Sequence, residues 1–280
     1  MSYQEPLSQK SVAISISESA DMAVLGLAEE HLRDAMAEVA RYLLAMGARL
    51  IYGGDLRAYG FTELLFELVA RHRRDADLGD ERPAVISYLP WPVHSSKKAK
   101  DVQAFAKDLA GIAEVHCLDR QGQEIPLDQL ARKPHNPTDE EWTDGLTAMR
   151  ALVTETADAH IVLGGRVTGY RGRMPGIAEE ALLALEASQP VFLLGGFGGC
   201  ARDIAEKLQL LAPSASPVNW PGRDAFGQSG TTNLNNGLTG EENQTLARTA
   251  HVDEAVALIL RGLLRLSRRG SALSTSARHG

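Results

Sequence analysis

Cysteine is scarce: two residues in 280, Cys117 and Cys200, stand far apart with no metal-ligand spacing. A disulfide framework and a zinc module are excluded, and the usage fits a reducing cytoplasm, where the chain is expected to reside. The N-terminal MSYQEPLSQK lacks an apolar signal core, and no apolar run reaches membrane-spanning length. A membrane is therefore not an expected partner. Positive charge is also in deficit, with a formal net charge of -7. A nucleic-acid protein usually carries a basic patch that raises its pI, so no nucleic acid is expected, although local basic pockets stay open. There is no G-x-x-x-x-G-K-[ST] phosphate loop, no full dinucleotide fingerprint and no internal repeat. A conventional ATPase or dehydrogenase is thereby excluded, and the reading assigns no cofactor and no metal.

What is present is alternation. Apolar runs rich in Val, Ile and Leu recur at Val12 to Ile16, Arg49 to Tyr52, Ala84 to Tyr88, Glu114 to Leu118, Ala159 to Leu163 and Val191 to Leu194. Helical spacing fills the intervals: Leu27 to Met46, Thr62 to Arg73, Lys98 to Ala110, Glu140 to Thr156, Ile177 to Ala187 and Ala201 to Leu210. Parallel strands need crossovers and helices supply them. The expected fold is α/β, Rossmann-like and doubly wound, a mainly parallel sheet with helices on both faces. Gly47 reads as a helix C-terminal glycine, and Thr138 before DEEW reads as an N-cap. One domain over residues 1–266 is expected, with its core at 11–210. Polar insertions are read at 119–137 and 212–242, a C-terminal helix at 252–266 and a mobile tail at 267–280.

In an open parallel sheet, ligands sit beyond the carboxyl ends of the strands. The loops there are SISESAD, YGGDLRAYGFTE, LGGRVTGYRGRMPGIAEE and LLGGFGGCARD, and three of them carry Gly-Gly directly after the strand. Glycine pairs let backbone amides approach an anion without a Cβ in the way. On that ground Gly53, Gly54, Gly164, Gly165, Gly195 and Gly196 are candidate ligand contacts. Ser17 and Ser19 add hydroxyls at the same edge, or else cap the next helix. Asp55 is suited to ribose hydroxyls and Arg57 to a phosphate, with a helix cap or a surface pair as the alternative.

The segment from Gly164 to Glu180 is the most heavily charged of the loops. Arg166, Arg171 and Arg173 occur with no acid between Gly164 and Ile177, so they cannot all be paired locally. Pro175 and Gly176 open a helix whose unpaired N–H groups favour an anion. Glu179 and Glu180 follow. One suffices to complement the helix dipole, and the other is a candidate ribose contact or general acid or base.

These stretches resemble the SLOG superfamily of Rossmann-like nucleotide binders. The likeness rests on a first strand ending in small polar residues, a GG loop after the second, GRMPGIAEEALLAL and PVFLLGGFGG, and covers roughly residues 11 to 210. It is strongest toward the TRPM-type and defence-associated branch, and more distant toward the lysine-decarboxylase-like hydrolases, whose P-G-G-x-G-T-x-x-E motif is interrupted here. Leu163 stands for the proline, and the arginine-bearing loop is inserted before the glutamates. The resemblance implies a binding or sensing domain for ADP-ribose, a cyclic ADP-ribose isomer or a related nucleotide. It further implies a homo-oligomer with a separate effector or a TIR-type enzyme as partner. Hydrolysis or transfer at the N-glycosidic bond of a nucleoside monophosphate is the alternative, with Glu179 or Glu180 as catalytic candidates.

Overall fold

Seven strands, β1 (Ser11–Ser17), β2 (Arg49–Gly53), β3 (Val85–Leu89), β4 (Ala113–Leu118), β5 (Glu124–Ile125), β6 (Ala159–Gly164) and β7 (Val191–Leu194), form one sheet in the order β5-β4-β3-β2-β1-β6-β7. The structure, a computed structural model, describes residues 5–8, 10–54, 56, 60–75, 83–214, 218–228 and 233–276. All pairings are parallel except β4 with β5, a two-residue antiparallel edge inside the 119–137 insertion. The chain winds outward from β1 to β4, then returns to pair β6 on the other side of β1, with Ser17 opposite Gly164. The order therefore reverses between β1 and β6. There the loops leave in opposite directions and open a crevice.

The helices are α1 (Glu29–Ala45), α2 (Phe61–Asp75), α3 (Trp91–Ser95), α4 (Ala99–Asp108), α5 (Asp139–Thr156), α6 (Gly176–Glu186), α7 (Gly199–Lys207), α8 (Gly240–Arg248) and α9 (Val252–Ser276). Alternation along β1 explains how they divide. Val12, Ile14 and Ile16 join one core with Leu32, Met36 and Leu43 of α1, Leu65 of α2 and Ile259 of α9. Ala13 belongs to the opposite core with Met149 and Val153 of α5. A third core joins Val162 and Leu193 to Ala181 of α6 and Ile204 of α7. Each fully buried Leu, Ile or Phe is worth roughly 1.5–3 kcal/mol, so these layers hold the sheet rigid beneath its loops.

Local signals set the helix ends. The Glu141 amide donates to Thr138 Oγ1 at 3.2 Å while the Thr138 amide donates to Glu141 Oε2 at 2.9 Å, a complete capping box at α5. Gly47, at φ +83, lies just past α1 and donates to Leu44 O at 2.9 Å. Two features differ from the sequence expectation. The stretch 212–242 contains the start of α8, whose Thr239 and Glu242 form a second capping box. α9 also continues to Ser276, beyond the expected end at Leu266 and through most of the segment read as a mobile tail.

Of the 212–242 stretch, Trp220, Phe226 and Leu234 join the core formed by α6, α7 and β7. Trp220 Nε1 donates to Asp203 Oδ2 at 2.8 Å, and Trp220 meets the fully buried Phe226 edge-on at 6.0 Å between ring centres. Asn236 Nδ2 donates to Val191 O at 2.8 Å, tying this stretch to the start of β7.

Candidate functional site

A cavity of about 540 Å³ opens at the carboxyl ends of β1, β2 and β3, walled by α5 and by the loop between β6 and α6. That is within the usual range of small-molecule sites, roughly 300–1,000 Å³. Its floor includes Ser15 and Ser17 of β1 and the Gly53-Gly54 turn after β2. Its charged wall includes Arg150, Arg166, Arg171 and Glu180.

α6 supplies one pole. Pro175 precedes its first residue and provides no side-chain cap, so the leading amides have no intrahelical acceptor. Gly176 and Ile177 line the cavity. Gly176 is glycine for a steric reason: a Cβ there would strike the guanidinium of Arg150. Arg150 is 6% exposed, and its Nε has no hydrogen-bond partner among the described residues.

The two adjacent glutamates divide their work. Glu179, 4% exposed, is saturated by the protein: Arg150 Nη1 donates to Oε2, Thr147 Oγ1 to Oε1 at 2.6 Å and Arg173 Nη2 to Oε1 at 3.3 Å. It does not line the cavity. Glu180 does, where the Ser15 hydroxyl donates to it and Arg150 Nε lies 3.7 Å from Oε1. Burial pushes the Glu180 carboxyl above the ordinary glutamate range; Arg150 and the Ser15 hydroxyl oppose this, while Glu179 adds to it. A carboxyl raised by desolvation, placed in a cleft and oriented by a fixed hydroxyl, is able to hold or release a proton there.

The sequence candidates separate into groups. Ser17, Gly53, Gly54, Arg166, Arg171, Gly176 and Glu180 come together around the cavity. Asp55 and Arg57 lie outside the described residues. Arg173 turns away to Glu179, and Pro175 is the buried residue before α6. Gly164 and Gly165, at φ +65 and +105, serve close packing: Gly165 donates to Ser17 O at 2.7 Å, and Cβ atoms would strike Ser17 O and Cys200 respectively. Ser19 lies beside Gly199, its Oγ buried without a partner. Gly195 and Gly196 face α8 and the chain after it. A Cβ on Gly195 would come within 2.7 Å of Ala247 O, and one on Gly196 would collide with Thr249 O. These two sit away from the cavity.

The third Gly-Gly turn does lead to a helix start, that of α7. Asp21 occupies it, with both carboxylate oxygens 2.9 Å from the Gly199 amide. Sequence reading missed this internal anion, and it missed Ser15, Arg150 and Trp142. Arg150 carries a visible trace: an arginine flanked by Met149 and Val153 on the apolar face of a helix must be paired inside the protein. His94 is buried, with Nε2 2.7 Å from Leu118 O, and desolvation lowers its pKa. Among the described residues there is no group of three or more His, Cys, Asp or Glu able to hold a metal, and no helix is long and apolar enough to cross a membrane.

The strand order, the crevice at its reversal and the uncapped helix start define a Rossmann-like α/β protein with a small-molecule cleft. The chain belongs to the SLOG family: the family model SLOG cluster2 matches residues 6–220. Membership supports a nucleotide-related binding role at the level of the family. Among solved structures, that of TM1055, a Northeast Structural Genomics Consortium target, is similar at 18% identity and a TM-score of 0.37, over 71% of this chain and 81% of the other. No curated protein matches.

Proposed function

We propose that the cavity binds a nucleotide: ADP-ribose, a cyclic ADP-ribose isomer or a related molecule. A phosphate lies at the start of α6 beside Arg150 and Arg166, and the ribose lies against Ser17, Glu180 and the Gly53-Gly54 turn. The observation that carries this reading is the convergence of an uncapped helix start, a buried arginine and two further arginines in one cavity at the strand reversal. The resemblance to the defence-associated branch supports a cytoplasmic homo-oligomeric sensor, a single domain over residues 1–266, that reports its ligand to a separate effector, with a TIR-type enzyme as the source of the ligand.

Glu180 favours a second reading. A desolvated carboxyl reaching the cavity is the group required to stabilise a ribosyl centre or move a proton during N-glycoside cleavage. A thermal-shift panel of ADP-ribose, its cyclic isomers and AMP tests binding, since a ligand that prefers the folded state must raise Tm. Chromatography of the same mixtures tests turnover. Stabilisation without released base supports the sensor; rapid release abolished by Glu180→Gln supports the hydrolase; no shift with any nucleotide overturns both.

A further inference from the structure

Arg171 stands at the crest of the loop between β6 and α6. Gly169 at φ +63 and Gly172 at φ +106 flank it, and these left-handed turns fold the loop back over the cavity. The Arg171 guanidinium carbon lies 4.0 Å from the centre of the Trp142 ring, and both residues line the cavity.

Its charge environment sets Arg171 apart from its neighbours. Arg150 is paired with Glu179, Arg173 also reaches Glu179, and Arg166 lies 3.7 Å from Glu18. Among the described residues, no carboxylate is within ion-pair distance of Arg171, and no protein acceptor takes a hydrogen bond from it. A cation–π contact takes up no N–H donor of a guanidinium through a hydrogen-bond acceptor, so its five N–H donors stay available. The indole therefore holds Arg171 in orientation and leaves its donors unspent, which lowers the entropy lost when an anion binds.

We propose that Arg171, held over the Trp142 ring, is a fork that reads a second phosphate. The first phosphate takes the α6 start, where the Nε of buried Arg150 donates no hydrogen bond among the described residues. A β-phosphate, one position further from the helix, meets Arg171. This rests on the nucleotide reading above and refines its ligand class: the site prefers a nucleoside diphosphate moiety to a monophosphate. Trp142 is a positioning residue that acts through Arg171.

Calorimetric titration of the full chain with AMP, ADP and ADP-ribose tests it. ADP and ADP-ribose are expected to bind about tenfold more tightly than AMP, the scale of one charge-assisted fork. Arg171→Met should erase that gap, weakening ADP and ADP-ribose about tenfold more than it weakens AMP. Trp142→Ala should narrow the gap, and Trp142→Phe, which keeps an aromatic face, should restore it. A merely structural Trp142 would weaken all three ligands alike. Equal affinity for AMP and ADP in the unaltered protein, or equal loss of both in Arg171→Met, overturns the proposal while leaving nucleotide binding intact. No binding of any nucleotide overturns the underlying reading and this one with it.

Discussion

Glu179 and Glu180 are neighbours in sequence and opposites in setting: Glu179 accepts from Arg150, Thr147 and Arg173, whereas Glu180 faces the cavity with Ser15 as its hydrogen-bond donor. The helix turns about 100° per residue, so adjacent side chains leave on different faces. One carboxylate builds the site and the other is offered to it.

Removing the Glu180 charge should stabilise the protein. Its folded pKa is raised above the ordinary value, so the folded state holds the proton more tightly than the unfolded state. The charged form therefore costs stability as pH climbs from the usual glutamate value through the raised one. Glu180→Gln should raise Tm at neutral pH, by roughly 2–4 °C per kcal/mol regained, and lose that advantage below the unfolded pKa. Thermal melts across the pH range check it; an unchanged or lower Tm at neutral pH would show that Glu180 is not desolvated.

Arg150 and Glu179 should be strongly coupled. Arg150→Met leaves a buried carboxylate short of its main partner and is expected to cost about 3 kcal/mol or more, whereas Arg150→Met combined with Glu179→Leu should recover most of that. Urea unfolding of the double-mutant cycle measures the coupling, and simple additivity would contradict the pairing.

These two predictions concern residues of unequal legibility. β7 spans the run expected for it, and the other long strands deviate by a residue or so at their ends, because buried apolar runs between turn formers have few alternatives. Glu180 was visible as one of a pair, and only the rotation of α6 decides which member reaches the cavity. Arg150 was legible only in hindsight, because its partners are far away in the chain. The α8 start was masked by its setting: TGEE carries a capping signature, but the surrounding polar residues read as loop. Asp21 and Gly199 are 178 residues apart, a distance that local pattern cannot bridge.

Gly196→Ala separates packing from ligand contact. Its added Cβ collides with the Thr249 carbonyl, so a loss of roughly 1–3 kcal/mol is expected, with nucleotide affinity preserved in the folded fraction. Gly176→Ala, pressed against Arg150 at the cavity wall, should lower affinity as well. A Gly196→Ala protein with its original Tm and weakened binding would return Gly196 to the ligand.

Acid should loosen α9 through Glu242. This carboxylate accepts from Arg265 and Arg261 and from the Thr239 amide, and the Arg265 hydrogen bond chiefly holds its pKa down to about 2. Its contribution is present above the unfolded glutamate pKa and is lost as pH falls toward about 2. Glu242→Gln should lower Tm at neutral pH, by a small margin because the group is partly solvated, and converge with the unaltered protein near pH 2. A difference in Tm that persisted unchanged into strong acid would contradict this assignment.

Two helix starts lie near one another at the carboxyl edge of the sheet, and the chain treats them unequally. Asp21 plugs that of α7, while that of α6 is left open beside Arg150. Of the two helix starts, only that of α6 is open to an incoming anion. The built-in carboxylate makes the two helix starts electrostatically unlike, so the sheet edge is polarised from α7 toward α6.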